Sequence, residues 1–148
     1  MKARDFFRQV QRAESELKIL NAKLRHYEDI GLSIGTGNNN GMPGNRNRSA
    51  SRVELAAIGA VDVFQDLLSQ QREFAAIVAR AEHVIKMIKQ EKYRQILNYR
   101  YLCGWSFKSI SDELKYNDPN SVYRAHGWAL HEAQVILNAQ EKEKAAQE

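Results

Sequence analysis

Four polar side chains of the types that recognise base edges lie close together late in the chain, at Asn120, Ser121, Tyr123 and Arg124. An arginine guanidinium can donate two parallel hydrogen bonds to guanine, and an asparagine amide can pair with adenine. A tyrosine can contact a thymine methyl group or reach a phosphate. This grouping predicts contacts to the base edges of double-stranded DNA.

A second set of residues flanks the first and suits contacts to the DNA backbone, namely Lys108, Lys115, Asn117 and Trp128. Positive charge beside phosphates supplies affinity that does not depend on sequence. Packing inside the protein is an equally good interpretation of Trp128. Between residues 91 and 137 there are six Lys or Arg and five Asp or Glu residues, a net charge of +1, so a single copy is expected to bind weakly.

Other chemistries lack the residue patterns that they need. The histidines do not share a helical face at the spacing of metal ligands, and residues 35–41 follow no strand and lack the lysine of a phosphate-binding loop. Cys103 has no histidine near it in sequence, and no paired carboxylates occur in an apolar setting. We therefore predict no metal, no cofactor and no enzymatic activity.

The elements that position the candidate residues are short helices near the end of the chain. Gly104 suits the end of a helix, and Ser106 suits the N-cap of a short helix over residues 107–114. Asp118 followed by Pro119 predicts the start of the last helix. Its apolar side is formed by Val122, Ala125, Ala129, Leu130, Ala133 and Leu137. The pattern predicts a helix-turn-helix within residues 91–138, with residues 139–148 as a charged, fraying tail.

The first ninety residues show heptad patterns. Residues 1–31 predict one helix whose apolar positions are Phe6, Val10, Ala13, Leu17, Leu20, Leu24 and Tyr27. Residues 32–50 are rich in Gly, Asn and Arg, contain no acidic residue and predict a flexible linker. Residues 51–90 predict a long helix that starts at Ser49 or Ser51, with a seam formed by Val53, Ala57, Ala60, Phe64, Leu67, Gln71, Phe74, Val78, Ala81, Ile85 and Ile88.

The long helix is roughly 58 Å in length at 1.5 Å per residue, so the first helix cannot cover all of its apolar stripe. The pattern predicts a coiled-coil-like hairpin or dimer module. We expect oligomerisation, with a dimer favoured, through Leu17, Leu20, Leu24, Phe64, Leu67, Gln71 and Phe74. Gln71 is either a residue that sets the register or a polar residue tolerated at a loose contact.

Composition supports an all-α fold. The chain has 148 residues, only two prolines, and five of its eight glycines between positions 31 and 44, so helix breakers are scarce elsewhere. A net charge of +4 permits an anionic partner but does not require one. No apolar stretch approaches the roughly 18 residues of a membrane span. A single cysteine is compatible with a reducing cytoplasm.

Two stretches carry a family resemblance, YRYLCGWSFKSIS at residues 99–111 and SVYRAHGWAL at residues 121–130. They resemble small proteins of phages and prophages of Gram-positive bacteria, related to the RinA and ArpU late-gene regulators, over about residues 51–137. The C-terminal part is similar to region 4 of sigma factors. The resemblance implies DNA-binding transcriptional regulation of phage genes in the bacterial cytoplasm, chiefly activation of late operons. It also implies RNA polymerase as a further partner and Asn120, Tyr123 and Arg124 facing the groove.

Two other functions stay open. Small terminase subunits, which recognise DNA for packaging into phage heads, also combine a helix-turn-helix with long oligomerising helices. The sigma-like C-terminal part could instead bind RNA polymerase without contacting DNA. Stoichiometry and salt-dependent DNA binding distinguish the three hypotheses.

Overall fold

The computed structural model describes residues 1–35 and 46–148, with side chains described for residues 1–30, 52 and 54–148. All regular structure in these ranges is helical, which confirms the predicted all-α class. The elements are α1 (Ala3–Gly35), α2 (Arg46–Met87), α3 (Glu91–Leu97), a π-helical segment (Asn98–Leu102), α4 (Phe107–Glu113) and α5 (Pro119–Gln147). The long helices α1 and α2 pack together, as predicted.

The chain divides into two compact units. Unit 1 combines Met1–Ala13 with Phe74–Glu148, and unit 2 is Glu14–Glu73. The start of α1 therefore belongs to the same unit as the C-terminal helices. The division predicted from sequence places residues 1–31 in one helical segment.

Unit 1 has a continuous apolar core. It joins the first turns of α1 to the end of α2, the π-helical segment and α5, through the buried residues Ala3, Phe6, Phe7, Val10, Ala81, Val84, Ile85, Ile88, Leu97, Tyr101, Ala129, Leu130, Ala133 and Leu137. Gln134 of α5 also accepts a hydrogen bond from the backbone N–H of Ala3, at 2.6 Å. Apolar burial of this extent is the main stabilising contribution to such a unit.

In unit 2 the buried face of α2 is rotated from the predicted seam and shares only part of it. Leu67 of the predicted seam is buried and Ala60 is half-buried, but Ala57, Phe64 and Gln71 are exposed. Ala56 and Val63, which lie outside the predicted seam, are buried and half-buried. Helix α1 contacts this face where the Tyr27 ring lies over Gly59, leaving no room for a side chain there. Apolar residues occupy two phases of α2, and periodicity alone does not say which phase a neighbouring helix covers.

Three helix ends differ from the predicted positions. Helix α1 continues through Gly31 to Gly35, and α2 begins at Arg46 rather than at Ser49 or Ser51. A glycine inside a helix costs roughly 1 kcal/mol but does not forbid helix. Of the predicted linker, residues 36–45 lie outside the described residues. Helix α5 runs to Gln147, through most of the predicted tail, because Ala, Glu, Lys and Gln are all good helix formers.

The predicted caps around α4 and α5 are confirmed. The Ser106 hydroxyl accepts a hydrogen bond from the backbone N–H of Ser109 at 3.2 Å, and Asp118 Oδ1 accepts one from Asn120 N–H at 2.8 Å. Pro119 occupies the first turn of α5. Gly104 follows the π-helical segment with a φ of +72°, in the left-handed region that glycine adopts most readily. Local chemistry thus determines where these helices begin and end.

Asp118→Ala is expected to lower the free energy of unfolding by about 1 kcal/mol, because the first turn of α5 loses the acceptor of an N-cap. Urea unfolding followed by circular dichroism measures this change. Asn117→Ala, one residue earlier in the turn, is the matched control and is expected to change stability by less than about 0.5 kcal/mol. Equal effects of the two substitutions would contradict a capping role for Asp118.

Candidate nucleic-acid interface

Helix α4 packs against α5 across a small apolar core that is separate from the core described above. Ile96, Ile110, Val122 and Ala125 are its buried members, from α3, α4 and α5. Val122 and Ala125 place the buried side of the first two turns of α5 against this core. The residues between them must therefore lie on the other side of the helix.

Three of the four candidate base-contacting residues lie on that outer side. Asn120, Tyr123 and Arg124 are exposed, with Tyr123 55% exposed, and Ser121 is half-buried. All four belong to the first two turns of α5. The start of this helix consequently presents an amide, a phenol and a guanidinium outward, without a covering element of the described chain.

The candidate backbone-contacting residues are exposed as well. Lys108 lies on α4, Lys115 and Asn117 lie in the turn before α5, and Trp128 is 62% exposed on α5. Lys115 has a φ of 57°, so the turn depends on a left-handed residue at this position. The two lysines lie on α4 and in the turn before α5, close in sequence to the candidate base-contacting residues.

An aromatic and cationic cluster lies next to the outward-facing residues. The Tyr123 ring lies 4.2 Å from the Phe107 ring, centroid to centroid, and the Arg100 guanidinium lies 4.3 Å from the Phe107 centroid. Arg100 also donates a hydrogen bond to the Trp105 backbone oxygen at 3.0 Å. The Phe107 ring thus contacts both Tyr123 and Arg100, and such ring and cation–π contacts favour one arrangement of these side chains.

Sequence reasoning did not single out Arg100 as a site residue. It lies in the π-helical segment, and π-helical turns occur frequently at functional sites. Its role depends on its contacts with Phe107 and Trp105, both in the following segment. No spacing rule for regular helices predicts these contacts, because the π-helical segment changes the direction of the side chains.

A buried polar pair lies beneath the cluster. The Tyr101 hydroxyl and His126 Nε2 are 2.9 Å apart, and both side chains are buried, at 4% and 5% exposure. The His126 ring also meets the edge of Phe107, with centroids 5.1 Å apart. The pair connects the π-helical segment to the second turn of α5, so it fixes the inner side of the segment that carries Arg124.

Burial lowers the pKa of His126 to about 4, with smaller contributions from Arg4 and Arg100. Burial also raises the pKa of Tyr101. His126 is therefore neutral in the folded protein at physiological pH, and the tyrosine hydroxyl keeps its proton. A neutral imidazole can accept the hydroxyl hydrogen bond at Nε2.

Stability should fall at acid pH because of His126. The unfolded chain binds a proton near the ordinary histidine pKa of about 6.5, whereas the folded chain resists it down to about 4. The contribution of neutral His126 is thus complete above about pH 6.5 and is lost as the pH falls toward 4. Urea unfolding of the protein and of His126→Gln measures it, and the difference between their unfolding free energies is expected to shrink over this range. A difference that is independent of pH would contradict the prediction.

The predicted oligomerisation residues do not share one environment. Leu17, Leu20 and Leu24 are half-buried on α1, and Leu67 is buried and Phe74 half-buried on α2. Phe64 and Gln71 alone of this set are exposed. The buried and half-buried members pack within the chain, which leaves Phe64 and Gln71 available to a partner.

In the described part of the chain, no three His, Cys, Asp or Glu side chains are placed to hold a metal ion. None of the described helices combines the length and apolar character required to cross a membrane. Comparison with protein-family models, with curated proteins and with solved structures finds no match.

Proposed function

We propose that this protein is a DNA-binding transcriptional regulator that acts as an oligomer. The observation that carries the proposal is the outward exposure of Asn120, Tyr123 and Arg124 at the start of α5, above the buried Val122 and Ala125. A short helix, a turn and a longer helix with an exposed N-terminal face is the arrangement that enters a major groove.

Each element of the segment has a role in the proposed complex. Arg124 donates a bidentate pair of hydrogen bonds to guanine, and Asn120 pairs with adenine. Tyr123, held against Phe107, contacts a thymine methyl group or a phosphate. Lys108, Lys115 and Asn117 contact phosphates, and Trp128 packs against the DNA backbone. Phosphate contacts set the register, while the base contacts provide specificity.

The target class follows from the family resemblance of residues 99–111 and 121–130. The resemblance to the RinA and ArpU regulators favours control of phage late operons in a bacterial cytoplasm, with RNA polymerase as a second partner. The small net charge of residues 91–137 makes a single copy a weak binder, so two copies on one duplex are part of the proposal.

Salt dependence tests the proposal directly. Fluorescence anisotropy with a pool of random duplexes should show affinity falling about one hundredfold between roughly 50 and 200 mM salt, if two lysines of each of two copies contact phosphates. Lys115→Ala should reduce the slope of log K against log salt, while Lys2→Ala serves as the control outside this segment. Selection of the tightest-bound duplexes from the pool then identifies the target sequence.

Other outcomes would favour the other functions. Absence of duplex binding at low salt would contradict the proposal and favour a module that contacts RNA polymerase alone. A closed ring of about eight or more copies, measured by native mass spectrometry, would favour a packaging subunit of the small terminase type. A dimer that binds a selected duplex supports transcription control.

A further inference from the structure

Helix α2 carries a second apolar stripe on the side opposite its buried face. Its apolar members are Ile58, Val61 and Leu68, and Leu55 and Phe64 lie on its two opposite edges; all five are between 43% and 65% exposed. The buried face in the same part of α2 contains Ala56 and Leu67. Exposed apolar residues at this spacing line one side of a helix, and a soluble protein rarely leaves such a side in water.

The stripe is long enough for a specific interface. Each of the five apolar side chains exposes on the order of 100 Å², and Ile58, Val61 and Leu68 with the facing parts of Leu55 and Phe64 form a patch of about 400 Å², a size that is often functional. With Glu54, Gln65 and Arg72 included, two copies of the stripe packed on each other would bury roughly 1,000 Å², the lower limit for a biological interface. A second copy of the same helix is therefore a sufficient partner.

The charges at the two ends of the stripe are self-complementary. Glu54 begins the stripe and Arg72 ends it, and both are exposed. They are separated by five turns, so they lie on the same side of the helix and about 27 Å apart along it. In an antiparallel pair whose centre lies level with Val63 along the helix axis, Glu54 of each copy meets Arg72 of the other. In a parallel pair, each of these charges would meet its own like charge.

The positions between the two charges obey the same symmetry. The spacing from Glu54 through Ile58, Val61, Gln65 and Leu68 to Arg72 is four, three, four, three and four residues. It is identical when read from either end, so antiparallel pairing places Ile58 of one copy against Leu68 of the other. This matches the isologous contact of a twofold dimer.

We infer that the protein forms an antiparallel homodimer through the outer stripe of α2, residues 54–72. The inference rests on the proposed function for its biological purpose, since it supplies the oligomer that the proposed regulator requires. It assigns this contact to Ile58, Val61 and Leu68 rather than to Leu67, which is buried within the chain.

A matched pair of substitutions tests the surface. Val61 and Val135 are 56% and 57% exposed, on α2 and α5. In sedimentation equilibrium of the full chain without DNA, Val61→Glu should raise the dimer dissociation constant by about tenfold or more, because two carboxylates become buried in the contact. Val135→Glu should leave the constant unchanged. A monomeric parent at about 100 μM, or a dimer insensitive to Val61→Glu, would overturn the inference.

Charge reversal and cross-linking test the polarity. Glu54→Arg and Arg72→Glu should each weaken the dimer, and the double variant should restore it. In a Cys103→Ser background, a short bismaleimide should link copies through Val61→Cys but not through Glu54→Cys, whose thiols lie about 27 Å apart in the antiparallel pair. Efficient linking through Glu54→Cys would overturn the antiparallel arrangement.

Failure of this inference is distinguishable from failure of the proposed function. All of these measurements are made without DNA, so they report the dimer alone. Loss of DNA binding with an intact dimer would count against the proposed function only. A dimer formed through another surface, with intact DNA binding, would contradict only the dimer contact inferred for the outer stripe of α2.

Discussion

Phe7→Ala is expected to lower the free energy of unfolding by about 3 to 5 kcal/mol. Phe7 is completely buried, and its ring stacks on Tyr101 at 5.2 Å and meets the edge of Phe6 at 5.1 Å, centroid to centroid. Removing the ring leaves a cavity between the start of α1 and the π-helical segment. A protein of this size has about 5 to 15 kcal/mol of stability in total, so the variant should be close to unfolding.

Urea unfolding at low protein concentration, followed by circular dichroism, measures this loss. Ile19→Ala is the control on the same helix, since Ile19 is 56% exposed and its replacement should cost less than about 0.5 kcal/mol. A loss below about 1 kcal/mol for Phe7→Ala would show that the start of α1 does not pack on the C-terminal helices.

Arg124→Ala is expected to weaken binding to the selected duplex by about 1 to 3 kcal/mol, or roughly 5- to 150-fold, and to relax specificity at one base pair. The guanidinium is the group on the outer side of α5 that is best suited to guanine, through two parallel hydrogen bonds. Arg124 is exposed, so its removal should leave the unfolding free energy nearly unchanged.

Lys142→Ala provides the matched control on α5. Lys142 is exposed and lies five turns after Arg124 on the same side of the helix. Its replacement by alanine removes the same charge as Arg124→Ala. Anisotropy titrations with the selected duplex and with a random duplex compare the two variants. Equal affinity of Arg124→Ala and the parent for the selected duplex would contradict the recognition role of the start of α5.

The C-terminal helices could be predicted closely from sequence. The caps at Ser106 and Asp118 and the turn glycine at Gly104 depend on groups within a few residues, and all three are where the pattern placed them. Every predicted apolar position of α5 from Val122 to Leu137 is buried. Exposure of Asn120, Tyr123 and Arg124 then follows, because a helix that buries one side exposes the other.

The packing of α2 could not be predicted in the same way. Phe64 and Gln71 belong to one heptad phase and Val63 belongs to another, and both phases contain apolar residues. The choice depends on the shape of α1, including the Tyr27 ring over Gly59. The side of α2 that stays exposed carries Ile58, Val61 and Leu68, from which we infer the dimer.

The sequence by itself determined the helical class, where α4 and α5 begin, and which residues lie on the outer side at the start of α5, because these depend on local hydrogen bonds and on periodicity. Only the tertiary structure decided that Phe7 packs beside Tyr101, that Tyr101 meets His126 across 25 positions, and that Arg100 lies over Phe107. These contacts join residues distant in sequence or pass through a π-helical turn. Their geometry is set by how whole helices fit together, which no pattern within one helix encodes.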